Sequence, residues 1–275
     1  MLLFCKKLRF FITKWLIKVP FVYSNWPLVL ADHFAFWFKS EYICKLYNGL
    51  KYYVVAKSSD INVLHEVYLS REYFYKNPLF NVLATDVVLD LGAYIGDFTV
   101  YAASKTTQGQ IIAVEPVPRN LNQLRKNIKL NAINNVQVVS GAIGKETKKS
   151  AIYHDTKTVG ATLNPQLLGN FSVTPDQKYD VDVYSPNDLF SKISMPITFI
   201  KMDIEGGEYV FFNNVDAKFL QNVRAIIIEA HVCASDDFKL LVETLKRLGF
   251  VVELKKFVDY FDVCMVYAYR APIEN

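Results

Sequence analysis

From residue 87 onward, short apolar runs alternate with amphipathic stretches. Apolar runs at 87–91, 110–114, 136–140, 197–202 and 225–230 predict buried strands. The stretches 96–104, 117–131, roughly 207–221 and 236–248 predict helices between them. Phe250–Leu254 and Asp262–Tyr269 supply two final strands. Alternation of this kind implies an α/β fold: a mostly parallel sheet with helices on both faces. Between residues 145 and 180 the chain is polar and reads as an irregular substrate loop over the carboxyl edge of the sheet.

Ahead of residue 87 the pattern differs. At helical spacing Phe4, Leu8, Phe11, Ile12, Trp15 and Val19 share one face of residues 2–19, and Pro20 stops the helix. Basic residues interrupt every apolar run, so no segment reaches the ~20 residues needed to cross a bilayer, and a cleavable signal peptide matches poorly. Residues 21–38 are rich in aromatics. Tyr42–Tyr47, Asn48-Gly49 and Leu50–Ala56 read as a hairpin closed by a type I′ turn. Ser58-Ser59-Asp60 caps a helix over Ile61–Leu69. Two units follow: a helical and hairpin extension over residues 1–80 and a main domain over residues 81–275.

Charge follows that division. Residues 1–80 carry 11 Lys/Arg against 5 Asp/Glu, a net of +6, whereas the remainder carries 20 against 22. The basic amphipathic face of residues 1–19 suits either a membrane interface, its lysines near anionic headgroups, or packing on the domain or a partner subunit. Cys5, Cys44, Cys233 and Cys264 form no C-x-x-C pair, which indicates neither a zinc knuckle nor a disulfide framework. A reduced, cytoplasmic setting is expected, with peripheral contact at the inner membrane surface if the membrane alternative holds.

The chemistry begins at Val87-Val88-Leu89-Asp90-Leu91-Gly92-Ala93-Tyr94-Ile95-Gly96, a strand running into a glycine turn that opens a helix. Glycine is needed where the backbone turns sharply against a ligand, and the helix N-terminus beyond favours negative groups. The next strand ends in Glu115, about 20–25 residues on, the spacing of an acid that accepts from ribose hydroxyls. The glycines are Gly-x-x-x-Gly and lack the third glycine of the dinucleotide fingerprint. That points away from NAD and towards S-adenosylmethionine, which has a ribose and no pyrophosphate. Asp90 and Gly92 are expected beside the amino-acid portion of the cofactor; the alternative for Asp90 is a capping role at helix 96–104. Glu115 could likewise cap the helix beyond Pro116.

A second motif, Lys201-Met202-Asp203-Ile204-Glu205-Gly206-Gly207-Glu208, follows the fourth strand. Lys-x-Asp-x-Glu-Gly-x-Glu after an apolar strand resembles the FkbM family of S-adenosylmethionine-dependent methyltransferases. Other pieces agree in order: Ser59-Asp60 with Glu66-Val67-Tyr68, Asp90-Leu91-Gly92-Ala93-x-Ile95-Gly96, Glu115-Pro116, Gly141-Ala142-Ile143-Gly144, Gly160-Ala161-Thr162-Leu163 and Glu229-x-His231. The resemblance spans about residues 50–255. It implies a class I, Rossmann-like methyltransferase fold with a seven-stranded sheet. Cofactor contacts are then expected at Asp90, Gly92, Ala93, Tyr94, Gly96 and Glu115, with Ala142 against adenine. Tyr94 stands where the family usually has Asn, which changes the wall near the methionine end.

Asp203, Glu205, Glu229 and His231 are the catalytic candidates, because carboxylates at the carboxyl edge of an open α/β sheet sit where such folds bind ligands. Glu205 and Glu208 could instead cap the following helix. His231 or Asp203 could serve as general base. Asp203, Glu205, Glu229 and His231 also have the ligand types of a metal site, although their spacing selects no particular metal. The resemblance implies an O-methyltransferase acting on a hydroxyl of a sugar, glycan or glycosylated natural product, with a small-molecule or glycan partner and no DNA. An RNA methyltransferase is the alternative that the basic extension would favour. A non-catalytic, membrane-associated protein that keeps the cofactor fold is a third.

Overall fold

The computed structural model describes residues 18–34, 40–71, 73–74, 77–154, 160–163, 177–231, 235–256 and 263–271. In chain order the strands are β1 (Glu41–Lys45), β2 (Lys51–Val55), β3 (Val87–Leu91), β4 (Gln110–Glu115), β5 (Val136–Ser140), β6 (Ala142–Ile143) and β7 (Lys148–His154). They continue as β8 (Ala161–Thr162), β9 (Gln177–Tyr184), β10 (Phe199–Met202), β11 (Ala225–His231), β12 (Val251–Lys256) and β13 (Val263–Tyr269). The α-helices are α1 (Val19–Val22), α2 (Trp26–His33), α3 (Asp60–His65), α4 (Asp97–Lys105), α5 (Pro118–Leu130), α6 (Pro186–Ser191), α7 (Glu208–Asn214) and α8 (Ser235–Arg247).

Seven strands form the main sheet in the order β12-β13-β11-β10-β3-β4-β5. Pairings from β11 to β5 are parallel, and β13 runs antiparallel to both of its neighbours. Side-chain alternation along each strand divides the core between the two faces. Val87, Leu89 and Leu91 of β3 pack with Phe211, Phe212, Leu241 and Leu245 of α7 and α8. Val88 packs on the other face with Phe98 and Ala102 of α4. Lys201 lies directly opposite Asp90 in the β10–β3 register, so a lysine and an aspartate share the interior of a buried sheet.

The extension packs as a layer on this domain. Val19, Tyr23, Tyr42, Tyr52, Val54, Ile61 and Leu64 cluster with Val100 of α4. Tyr53 N–H donates to Asn127 Oδ1 of α5 (2.7 Å), and Lys51 N–H to Asn131 Oδ1 (2.9 Å). Among the described residues no helix is long and apolar enough to cross a membrane. The amphipathic pattern expected over residues 2–19 lies outside the described residues up to residue 17.

Several expectations need correction. Pro20 sits in the first turn of α1 instead of ending a helix, a position where its missing N–H costs nothing. In the β1–β2 hairpin only Gly49 has a positive φ (+90°), and its N–H donates to Leu46 O. That is a turn followed by a left-handed glycine, not a type I′ turn, which needs positive φ at two residues. The helix expected over 61–69 becomes α3 and then a π-helical turn, Glu66–Ser70. The helix expected over 207–221 is α7 followed by a separate 3-10 turn, Ala217–Leu220, because Val215 is extended. Most consequentially, the stretch read as an irregular loop holds strands: β6-β9-β7-β8 form a second sheet. Tyr179, Val181 and Val183 alternate with Lys178, Asp180 and Asp182 along β9, a period-two signal that the surrounding polar residues obscured.

Candidate active site

A cavity of about 450 Å3 opens at the carboxyl ends of β3, β4, β10 and β11, beneath the second sheet. The turn after β3 forms its base. Gly92 has φ +78°, and a Cβ there would stand 1.7 Å from the carbonyl oxygen of Asp203. No other residue fits this crossing of two chains. Gly96 (φ +87°) then caps α4. Of the expected cofactor contacts, Gly92, Tyr94, Glu115 and Ala142 line the cavity. Asp90, Ala93 and Gly96 lie behind it: Ala93 packs with Leu124, and Asp90 is wholly buried.

Asp90 holds the turn from beneath. Its Oδ2 accepts from Thr99 Oγ1 (2.5 Å), and its Oδ1 is 3.6 Å from Lys201 Nζ. Lys201 Nζ also donates to Gly92 O (2.8 Å) and lies 3.8 Å from Asp203. Burial alone would lower the Lys201 ammonium, but Asp90, Asp203, Asp97 and Glu229 outweigh it and raise its pKa. Lys201 thus carries a permanent positive charge at the cavity floor, tying the glycine turn to the acidic motif. Burial raises the Asp90 carboxyl, with Lys201 opposing.

Glu115 closes the opposite side. Its Oε1 accepts from Val117 N–H (2.9 Å) and Asn120 Nδ2 (3.1 Å), and its Oε2 from Tyr94 N–H (3.0 Å). Burial nevertheless pushes it up to about 7. Tyr94 has φ +47°, and its hydroxyl donates to Asp60 Oδ1 (2.9 Å) and accepts from Arg119 (3.2 Å). Arg119 also donates to both Asp60 oxygens, at 2.8 and 3.0 Å. The phenol is therefore fastened to the extension.

Asp203, Glu205 and Glu229 face the cavity. His231 adjoins it, its Nε2 3.1 Å from Glu205 Oε2 and its Nδ1 3.6 Å from Glu208 Oε1. Glu208 does not cap α7, which has no side-chain cap; it turns back to accept from Ile204 N–H (3.0 Å). Burial would lower the imidazole, but Glu205 and Glu208 outweigh it and hold its pKa well above the usual value. Both carboxylates favour a proton on the ring, which disfavours its use as a base. Burial raises Glu205. The structure adds residues to which sequence reasoning gave no role: Lys201, Asp97, Tyr73, Glu66 and Asn120 all border the cavity. Asp97 is pushed by burial up to about 7. Lys201 and Glu66 belong to motifs that carry the family resemblance, and a lysine inside an apolar strand is a further signal; Asp97, Tyr73 and Asn120 carried none.

These residues suit a nucleoside bearing an amino acid. Glu115 offers a buried acceptor to ribose hydroxyls, and Val114, Ala142 and Ile143 give a flat apolar slot beside it.

Comparison with known proteins identifies the family. The profile of the methyltransferase FkbM domain matches residues 90–252. The chain is 24% identical over 194 residues to "Methyltransferase 1" of Beauveria bassiana (strain ARSEF 2860), covering 62% of this chain and 74% of that protein. It is 23% identical over 214 residues to "Methyltransferase sdnD" of Sordaria araneosa, covering 66% and 78%. Among solved structures it is similar to M. jannaschii TYW2 in complex with AdoMet, at 17% identity and TM-score 0.45, covering 86% of this chain and 89% of that one. A putative rRNA-methylase from Clostridium thermocellum gives 12% identity and TM-score 0.47, covering 74% and 96%. The chain belongs to the FkbM family of S-adenosylmethionine-dependent methyltransferases.

Proposed function

We propose that this methyltransferase transfers its methyl group to a hydroxyl of a sugar, glycan or glycosylated natural product. The observation that carries the reading is the ring of acids around the cavity floor, Glu66, Asp97, Asp203, Glu205 and Glu229. Carboxylates accept hydrogen bonds from hydroxyls and can take the proton that a hydroxyl loses. The same acids disfavour phosphates beside them, whereas Lys145 and Lys148 line other parts of the cavity.

S-adenosylmethionine, when bound, supplies an already activated methyl group and departs as a neutral thioether. The protein's part is alignment and proton removal. Gly92, Tyr94, Glu115 and Ala142 would hold the donor. Asp203 or Glu229 would accept the proton, while Lys201 keeps the turn and the acids in register. Lys148, Ser150, Ile152, Thr162 and Val183 of the second sheet line one side of the cavity.

The test is methyl transfer from labelled S-adenosylmethionine to fractionated cell extract, with glycan, lipid-linked sugar and RNA fractions kept apart. Label is expected in a carbohydrate fraction as an O-methyl ether. Label confined to RNA would replace the hydroxyl-sugar reading with the nucleic-acid one.

A further inference from the structure

We propose that Asp203, Glu205 and His231 bind one divalent first-row transition-metal ion at the acceptor side of the cavity. One donor atom from each residue lies within 4.8 Å of the other two. Around an ion with bonds of about 2.1 Å, neighbouring donors stand about 3 Å apart and opposite donors about 4.2 Å. Glu205 Oε2 and His231 Nε2, at 3.1 Å, already have the neighbouring spacing. Asp203 offers the third donor, and both it and Glu205 line the cavity. Two carboxylates with one imidazole suit Mn2+ or Zn2+ better than Ca2+ or Mg2+, which prefer oxygen throughout.

A second observation lies outside these three donors. Glu208 is completely buried, and its carboxylate stands 3.6 Å from the far ring nitrogen of His231. Its other oxygen, Oε2, has no hydrogen-bond partner among the described residues. A carboxylate behind a metal-bound histidine is the usual arrangement of such sites, where it fixes the ring and strengthens the ligand. A proton on His231 is the competing explanation.

The ion's role in the reaction rests on the hydroxyl-acceptor reading: coordinating that hydroxyl, it would lower the oxygen's pKa, and Glu229 would receive the proton. Binding itself does not depend on that reading. The full-length protein, stripped with chelator, is titrated with MnCl2 while the electron paramagnetic resonance signal of free Mn2+ reports the unbound ion. One saturable site is expected. Asp203→Asn and His231→Gln should each weaken it at least tenfold, and Glu208→Gln roughly tenfold or more, with circular dichroism confirming that each variant is folded. Asp203 is a quarter exposed, so its variant carries the test if the buried ones fail to fold. No saturable binding, or binding that Asp203→Asn leaves unchanged, overturns the site and leaves His231 holding a proton only. Saturable binding by a protein that methylates no hydroxyl would keep the site and remove the acceptor reading.

Discussion

Glu115 shows how much one residue carries here. Its folded pKa of about 7 lies above the ordinary carboxyl value because burial outweighs its three donors. A raised acid contributes stability that is fully present below its unfolded pKa and is lost as pH rises through about 7. Ribose hydroxyls donate to the carboxylate and favour the charged form. Donor affinity should therefore rise about tenfold between pH 6 and pH 8 as the proton is released. Calorimetric titration of S-adenosylhomocysteine checks this: Glu115→Gln should flatten the dependence, and an unaltered slope in that variant would assign it to another group. The place of Glu115 in the cavity wall was legible because the spacing from the glycine turn is a matter of chain length. The facing of Asp90 was not. All of β3 is buried, so its sequence lacks the apolar and polar alternation that reveals which side a residue takes.

At the scale of elements, the turn after β3 is braced by the extension. The family pattern places Asn at position 94, a residue that tolerates left-handed backbone better than Tyr does. Tyr94 adopts φ +47° all the same, and its hydroxyl gains Asp60 and Arg119 in return. Tyr94→Phe removes only those bonds and should lower unfolding stability by about 1 kcal/mol. In urea titrations the midpoint should fall with an unchanged slope. An unmoved midpoint would show that the hydroxyl braces nothing. The parallel strands were readable because each is a continuous apolar run bounded by turns. β7 to β9 were not, since that sheet has one face towards the cavity and is polar over most of its length. The strut from Asp60 to Arg119 joins residues 59 positions apart, and no local pattern announces such a contact.

Across the whole molecule, one cavity runs from Gly92 and Glu115 after β3 and β4 to Asp203, Glu205 and Glu229 at β10 and β11. The smaller sheet lines one side of it. The family and the donor could be read from two motifs, because a glycine turn and an acidic strand end each do chemistry that few residues can. The acceptor could not, since its walls come from the second sheet, the extension and the buried Lys201. The central claim is that the two ends of the cavity are separable: Glu115 serves the donor, and Asp203 serves the acceptor. The most direct measurement is the dissociation constant of S-adenosylmethionine, by calorimetry at pH 8, for the wild type, Glu115→Ala and Asp203→Asn, each followed by a methyl-transfer assay. Glu115→Ala should weaken binding by about 1–3 kcal/mol, the loss of a buried acceptor. Asp203→Asn should bind the donor within about twofold of the wild type and lose turnover. Equal loss of donor affinity in both variants, or a wild type that fails to bind S-adenosylmethionine, would contradict the account.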